Sequence, residues 1–382
     1  MSETVKPSRK RSPKRENPTA ARNASALLVN SLDPQHILGV EEITLPDGVP
    51  VISARTSFDG GRSWRESWPL PVEIEWAGVV GPVLALDANG TLNLAALALE
   101  PEHSRASLVV YRSEDGGIRW NRPVVVLQGS AECFYSIAAD LNPASPFRGS
   151  IYVTADMGNT LCFARSTDGR SWSGRGHSGP GPLLSGLCFN PEVLVDAAGG
   201  VHIVWMTGPS GCSIVAVDSV DGGRTFCPPV TVAEGIVGVQ EGLPETAPAT
   251  CIADDGLALC VWADDREGRA RIYHRRSLDG GRSWEGRLDG EPLVRDGGSG
   301  QHEFQPHLIL TTGGEICCAF YEYGRKKPGG EMLVDLAMAV SYDRGASFPG
   351  HMVLSEGPWD PAVDQPLSRG ATRGALGWLA LA

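Results

Sequence analysis

The sequence predicts an all-β chain folded as a six-bladed β-propeller, and three observations carry that expectation. A short motif recurs six times at near-regular spacing. The stretches between copies divide into about four strand-like segments each. The 47 glycines and 28 prolines make up about a fifth of the 382 residues, and both residue types weaken helix interiors, which excludes a helix bundle. Hydrophobic residues at 42% supply a core. No run approaches the roughly 18 apolar residues of a membrane-spanning helix.

The motif reads SFDGGRSW at 57–64, SEDGGIRW at 113–120, STDGRSW at 166–172, SVDGGRTF at 219–226, SLDGGRSW at 277–284 and SYDRGASF at 341–348. Successive copies begin 56, 53, 53, 58 and 64 residues apart, a period that marks a repeat architecture. Its chemistry is that of a tight turn. Ser and Asp two apart bond nearby backbone amides. The glycines allow positive φ, and the closing aromatic folds back into an apolar gap. The third copy lacks one glycine and the sixth carries Arg344 there, so both are expected to be altered turns.

The segments between motifs read as short strands. The first unit offers 24–30, 36–43 and 50–57. The fourth offers 191–196, 201–206, 213–219 and 228–233, and the fifth 249–254, 257–264 and 271–277. One four-stranded sheet per 50–60 residues is a propeller blade. A blade cannot bury both faces alone, so residues 23–360 are expected to form one cooperative domain. Residues 361–382, with GALGWLALA at 374–382, either close the ring or begin a degenerate extra blade. Residues 1–22 are expected to be a disordered basic tail.

Charge separates the same regions. Residues 1–22 hold seven bases (Lys6, Arg9, Lys10, Arg11, Lys14, Arg15, Arg22) and two acids (Glu3, Glu16), a net of +5, which leaves −17 for the rest of a chain of net charge −12. An acidic body repels phosphates, so no nucleic-acid partner is expected; nor is a membrane partner. Nine cysteines form no Cys-x-x-Cys pair and no zinc-like cluster. With no apolar stretch after the basic head, a reduced, cytoplasmic protein without metal or cofactor is expected. The oligomeric state is not legible.

These motifs resemble Asp-boxes, the bacterial neuraminidase repeats, and the chain resembles the sialidase superfamily over about residues 23–360. That resemblance implies three arginines holding a substrate carboxylate, a Tyr nucleophile assisted by a Glu, and an Asp acid/base. The matching residues are partial. Tyr321-Glu322 in AFYEY resembles the pair whose Glu orients an arginine, and Asn190-Pro191-Glu192 is similar to the Glu-bearing strand. The first-blade Phe/Tyr-Arg-Ile-Pro signature is absent, with only Arg22-Asn23-Ala24-Ser25 near it. The nucleophile position falls near Pro306-His307, and Trp205-Met206 stand where an arginine is expected. The conventional sialidase catalytic set is therefore not matched.

Propeller topology places a site independently of any family. The motif turn joins third and fourth strands on one face of the disc. Second-to-third loops and blade-to-blade connections then open on the other, around the central depression where loops carry ligands. The connections contain Glu132, Cys133 and Tyr135, then Asn190 and Glu192, then Glu245, then Gln301, His302, Glu303 and Gln305. The second-to-third loops add Trp262, Asp264, Asp265 and Arg266, then Tyr321, Glu322, Tyr323 and Arg325. Glu192, Asp264, Asp265, Glu303 and Glu322 are the candidate acid/base residues. Tyr135, Trp205, Trp262, Arg266, His302, Tyr321, Tyr323 and Arg325 are the candidate substrate-binding residues. Carboxylates accept sugar hydroxyls and aromatic rings stack on C–H faces.

Structural alternatives stay open at this point. Trp262–Arg266 equally fits a turn closed by an Asp–Arg pair, Tyr321 and Tyr323 equally fit interblade packing, and His302 fits an exposed loop histidine better than a general base. Glu192 is the carboxylate expected to be buried near the axis with a raised pKa, as an acid catalyst requires. The leading expectation is a glycan-directed, glycoside-cleaving enzyme with a small-molecule or glycan ligand. A non-catalytic carbohydrate-binding or interaction propeller is the second, and a propeller recruited to cyclisation or bond formation in secondary metabolism the third.

Overall fold

The computed structural model describes residues 22–66, 69–102, 104–131, 133–176, 178–208, 212–238, 247–253, 255–294, 300–311, 313–326 and 332–358. The basic tail to residue 21 and the segment 361–382 lie outside them. Blade one contains β1 (Arg22–Val29), β2 (Ile37–Thr44), β3 (Pro50–Ser57) and β4 (Arg65–Glu66). Blade two contains β5 (Gly78–Leu86), β6 (Leu92–Leu99), β7 (Arg105–Ser113) and β8 (Val124–Ser130). Blade three contains β9 (Tyr135–Ala139), β10 (Ile151–Asp156), β11 (Thr160–Ser166) and β12 (Gly181–Ser185). Blade four contains β13 (Phe189–Val195), β14 (Val201–Thr207), β15 (Ser213–Ser219) and β16 (Val230–Glu234). Blade five contains β17 (Ala249–Ile252), β18 (Ala258–Asp264), β19 (Arg271–Ser277) and β20 (Glu291–Pro292). Blade six contains β21 (His302–Leu310), β22 (Ile316–Lys326), β23 (Met332–Ser341) and β24 (His351–Val353).

Each blade is an antiparallel sheet of four consecutive strands, and the six stand in a ring. First strands touch first strands from β1 through β5, β9, β13 and β17 to β21, which makes them the inner wall. The five seams between consecutive blades one to six are each filled by an apolar cluster drawn from both neighbours. Alternation along each strand thus feeds two seams, as a sheet buried on both faces requires.

The six motif turns explain why every third strand stops where it does. Each ends on the motif serine, Ser57, Ser113, Ser166, Ser219, Ser277 or Ser341, and all six are buried. In blade five, Ser277 Oγ donates to Asp279 Oδ1 at 2.8 Å and accepts Gly281 N–H at 2.9 Å, while Asp279 accepts Ser283 N–H at 2.8 Å. The same triangle recurs in the other complete copies. Hydrogen bonds hold the Asp59, Asp168, Asp221 and Asp343 carboxyls down at about 2. The two altered copies adapt differently. Ser166 reaches Gly169 N–H, one residue closer, at 2.8 Å. Arg344 takes the left-handed φ of 62° that glycine holds elsewhere. Ser277→Ala orphans the buried Gly281 amide, so a loss of about 1–3 kcal/mol is expected in chemical denaturation. A loss under about 0.5 kcal/mol would show that the turn is held by its glycines alone.

Candidate functional site

The inner strands begin on the face opposite the motif turns; β1 shifts register by one residue between Asn23 and Ser25, and three others carry a two-residue irregularity. Register breaks between Val80 and Val83, Phe189 and Glu192, and Phe304 and His307. The residues pushed out of register are Gly81-Pro82, Asn190-Pro191 and Gln305-Pro306, with φ of 66°, 48° and 49° at the first of each pair. Proline lacks a ladder donor and is tolerated on an edge strand, and the inner edge of a first strand has no sheet partner. These bulges recur in blades two, four and six and re-aim the residue that follows. That residue is Val83, Glu192 or His307.

Glu192 leaves the blade-four bulge and crosses to blade five. Its Oε2 accepts the Thr250 N–H of β17 at 2.9 Å. Next to it, Val193 N–H donates to Ser136 Oγ of β9 at 3.2 Å, so three inner strands meet here. The Glu192 side chain is partly exposed. Burial pushes its carboxyl up to about 8 against the opposing pull of the Thr250 amide, which leaves it protonated and a hydrogen-bond donor at neutral pH. The nearby Cys251 and Cys260 thiols are pushed by burial up to about 12, so they stay inert. Tyr135 binds the Gly81 carbonyl through its hydroxyl, and burial raises its pKa far above the usual phenol value. Glu42, which the sequence reading missed, accepts Gly81 N–H at 3.3 Å, and burial raises its pKa too.

A second group of acids lies across blade six. Glu303, Glu322 and Asp335 are direct cross-strand partners on β21, β22 and β23, hence on one face. They are 4%, 1% and 0% exposed. Glu303 Oε2 accepts Ile272 N–H of blade five at 3.0 Å, which fixes the row in the seam between blades five and six. His351 Nε2 lies 3.0 Å from Glu322 Oε1, and Ser355 Oγ donates to Asp335 Oδ1 at 3.0 Å. Burial raises the Glu303 pKa and Glu322 adds to it, while Ile272 N–H, Arg271 and His351 oppose it. Sequence reading named Glu303 and Glu322 but not Asp335, Arg271 or His351. This row is sealed from solvent, so these acids hold the seam rather than meet a ligand.

The remaining candidates divide clearly. Asp264 is 0% exposed and pairs with the Arg266 guanidinium. Arg266 also reaches Asp289 at 3.0 Å and stacks over the Tyr273 ring at 4.2 Å. Asp265 is buried with its backbone N–H on the Val237 carbonyl. The stretch Trp262–Arg266 is therefore the closed turn, not an open carboxylate pair. Trp205 and Trp262 are 6% and 1% exposed within interblade clusters, so neither offers a ring face as a substrate platform. Tyr321 and Tyr323 pack with Phe304, Val334 and Leu336. His302 is half-buried, and its Nδ1 accepts Ala270 N–H at 3.3 Å. The Arg325 side chain, Glu132 and Glu245 lie outside the described residues. Among the described residues, no group of three or more His, Cys, Asp or Glu side chains converges to hold a metal ion.

The fold is a six-bladed β-propeller, and the partly exposed carboxyl of Glu192 stands on its inner wall. No family profile and no curated protein matches the chain. Solved structures do share the fold. A Dyadobacter fermentans protein of unknown function is 15% identical, with a TM-score of 0.51, over 85% of this chain and 96% of that one. An ulvan lyase of polysaccharide lyase family 25, bound to -[GlcA(1-4)Rha3S]-, is 13% identical, with a TM-score of 0.52, over 82% and 78%. The intramolecular trans-sialidase of Ruminococcus gnavus, in complex with oseltamivir carboxylate, is 12% identical, with a TM-score of 0.50, over 78% and 89%.

Proposed function

We propose that this chain is a carbohydrate-cleaving enzyme. Its site lies at the channel mouth opposite the motif turns, and Glu192 is its general acid. One observation carries the reading: of the five candidate carboxylates, Glu192 alone is partly exposed on the inner wall, and burial keeps it protonated near pH 7. A glycosidic oxygen leaves as an alcohol only when it receives a proton, and a carboxyl with a raised pKa supplies it. In hydrolysis, the C–O bond breaks as Glu192 gives its proton to the leaving oxygen. Water adds to the sugar carbon, and its proton restores the acid.

A second reading is eliminative cleavage of a uronate polymer. It is favoured by His307, which holds on β21 the position Glu192 holds on β13. Burial pulls His307 down to about 4, so it is a neutral base at pH 7. His307 would take the C5 proton beside the uronate carboxyl, the freed electron pair would form the C4–C5 double bond, and the C4–O bond would break as the Glu192 proton passes to the leaving oxygen. Incubation with sialosides, neutral glycosides and uronate polysaccharides separates the readings. New reducing ends without unsaturation mark hydrolysis, and an unsaturated uronate marks elimination. No product from any of the three would overturn the enzyme reading in favour of a binding propeller.

A further inference from the structure

We propose that the seam between blades four and five carries a second ligand site, on the motif-turn face, for a neutral or amino-bearing monosaccharide ring. It is independent of the channel mouth. At two other seams, the first glycine of the motif turn is roofed by an aromatic side chain from the preceding blade. A Cβ on Gly116 would lie 2.9 Å from Phe58, and one on Gly222 would lie 2.7 Å from Phe147. The same construction on Gly280 meets nothing within 4 Å.

The sequence accounts for the opening. Phe147 is carried by the long connection between β9 and β10, residues 140–150, whereas 196–200 alone join β13 to β14. The motif position that holds Phe58 in blade one holds the smaller Val220 in blade four. The space left is a cavity of about 330 Å³, within the size range of small-molecule pockets. Its walls include His202, Asp218, Val220, Ile252, Leu278 and Arg282.

The walls suit a polyol ring. Val220 and Leu278 are 69% and 45% exposed and offer apolar contact to a C–H face. Asp218 and Arg282 offer an acceptor and donors to hydroxyls. Asp196, Asp218, Asp255 and Asp279 outnumber His202 and Arg282 along the lining, so an anionic sugar is repelled. At the deep end a pocket of about 10 Å³ shares His202, Asp218 and Ile252 with the cavity and reaches Trp284. The Trp284 indole N–H, like that of Trp172 in blade three, has no acceptor among the described residues, whereas Trp64 and Trp120 donate to Gly61 and Gly117 carbonyls at 3.0 and 3.2 Å. A ligand oxygen there would satisfy it.

The test is calorimetry and saturation-transfer NMR on the full chain with glucose, glucosamine, N-acetylglucosamine and glucuronate. The expected result is one saturable site per chain for at least one of the first three and none for glucuronate. Leu278→Ser and Arg282→Ala change exposed side chains and should each weaken binding about tenfold or more with an unchanged melting curve. Glu192→Gln should leave this binding intact. Absence of saturable binding by all three sugars overturns the proposal. So does binding that survives both seam substitutions and disappears in Glu192→Gln, which would place the sugar at the channel mouth instead.

Discussion

Glu192→Gln is expected to lower turnover of the cleaved glycan by about 10²–10⁴-fold, the usual contribution of a positioned general acid. The fold should survive, because a glutamine oxygen can still accept the Thr250 N–H that Glu192 Oε2 accepts at 2.9 Å. Stability should move the opposite way. The folded carboxyl binds its proton up to about pH 8, against an ordinary value of 4.5. The folded state therefore holds more protons than the unfolded state between those values, and stability falls as pH rises across that window. Glutamine removes this cost, so the inactive variant should be more stable than the parent at pH 7 by about 1–3 kcal/mol. Parent activity should fall as pH rises through about 8, and that limb should be missing from the residual activity of the variant. Full activity in Glu192→Gln would remove the residue from the chemistry.

His202→Ala is expected to have the largest effect on folding. His202 sits in blade four with Nε2 2.9 Å from Asp196 and Nδ1 2.7 Å from Asp218. Burial works against its charge, but hydrogen bonds and charge attraction from the two aspartates outweigh it and raise the pKa to about 9. Removing the imidazolium leaves two acids close together and largely buried, at a cost of about 3–5 kcal/mol. The pH dependence has a definite sign. A histidine whose folded pKa stands above 6.5 contributes stability that is complete below 6.5 and lost as pH rises through about 9. The parent melting temperature should decline over that range, and His202→Ala should show little of the decline. A variant as stable as the parent at pH 6 would mean that the triad is not a clamp.

The blade plan was legible because its signals are local. Each motif carries its own turn chemistry, and the expected strand at 213–219 coincides with Ser213–Ser219. The expected strand at 191–196 begins two residues late, because the Asn190-Pro191 bulge pairs Phe189 before it. That bulge had a signal in the sequence, the dipeptides Gly81-Pro82, Asn190-Pro191 and Gln305-Pro306, which recur in every second unit. The site was less legible, because burial is decided by register across strands far apart in the chain. Asp264 and Glu192 look alike as acids near a strand end. One is closed under Arg266, and the other faces the rim. Asp335 and His351 join Glu322 only through the pairing of β22, β23 and β24, which no local pattern reveals. The open seam at Gly280 is set by what is missing from another loop.

A pH titration of the Glu192 carboxyl, followed by carbon-13 NMR of selectively labelled glutamate and assigned by comparison with Glu192→Gln, bears most directly on this account. The account predicts a carboxyl resonance that titrates near pH 8 and is absent from the variant. A Glu192 signal titrating near the ordinary value of 4.5 would contradict it, because the residue would then be a carboxylate at neutral pH with no proton to give.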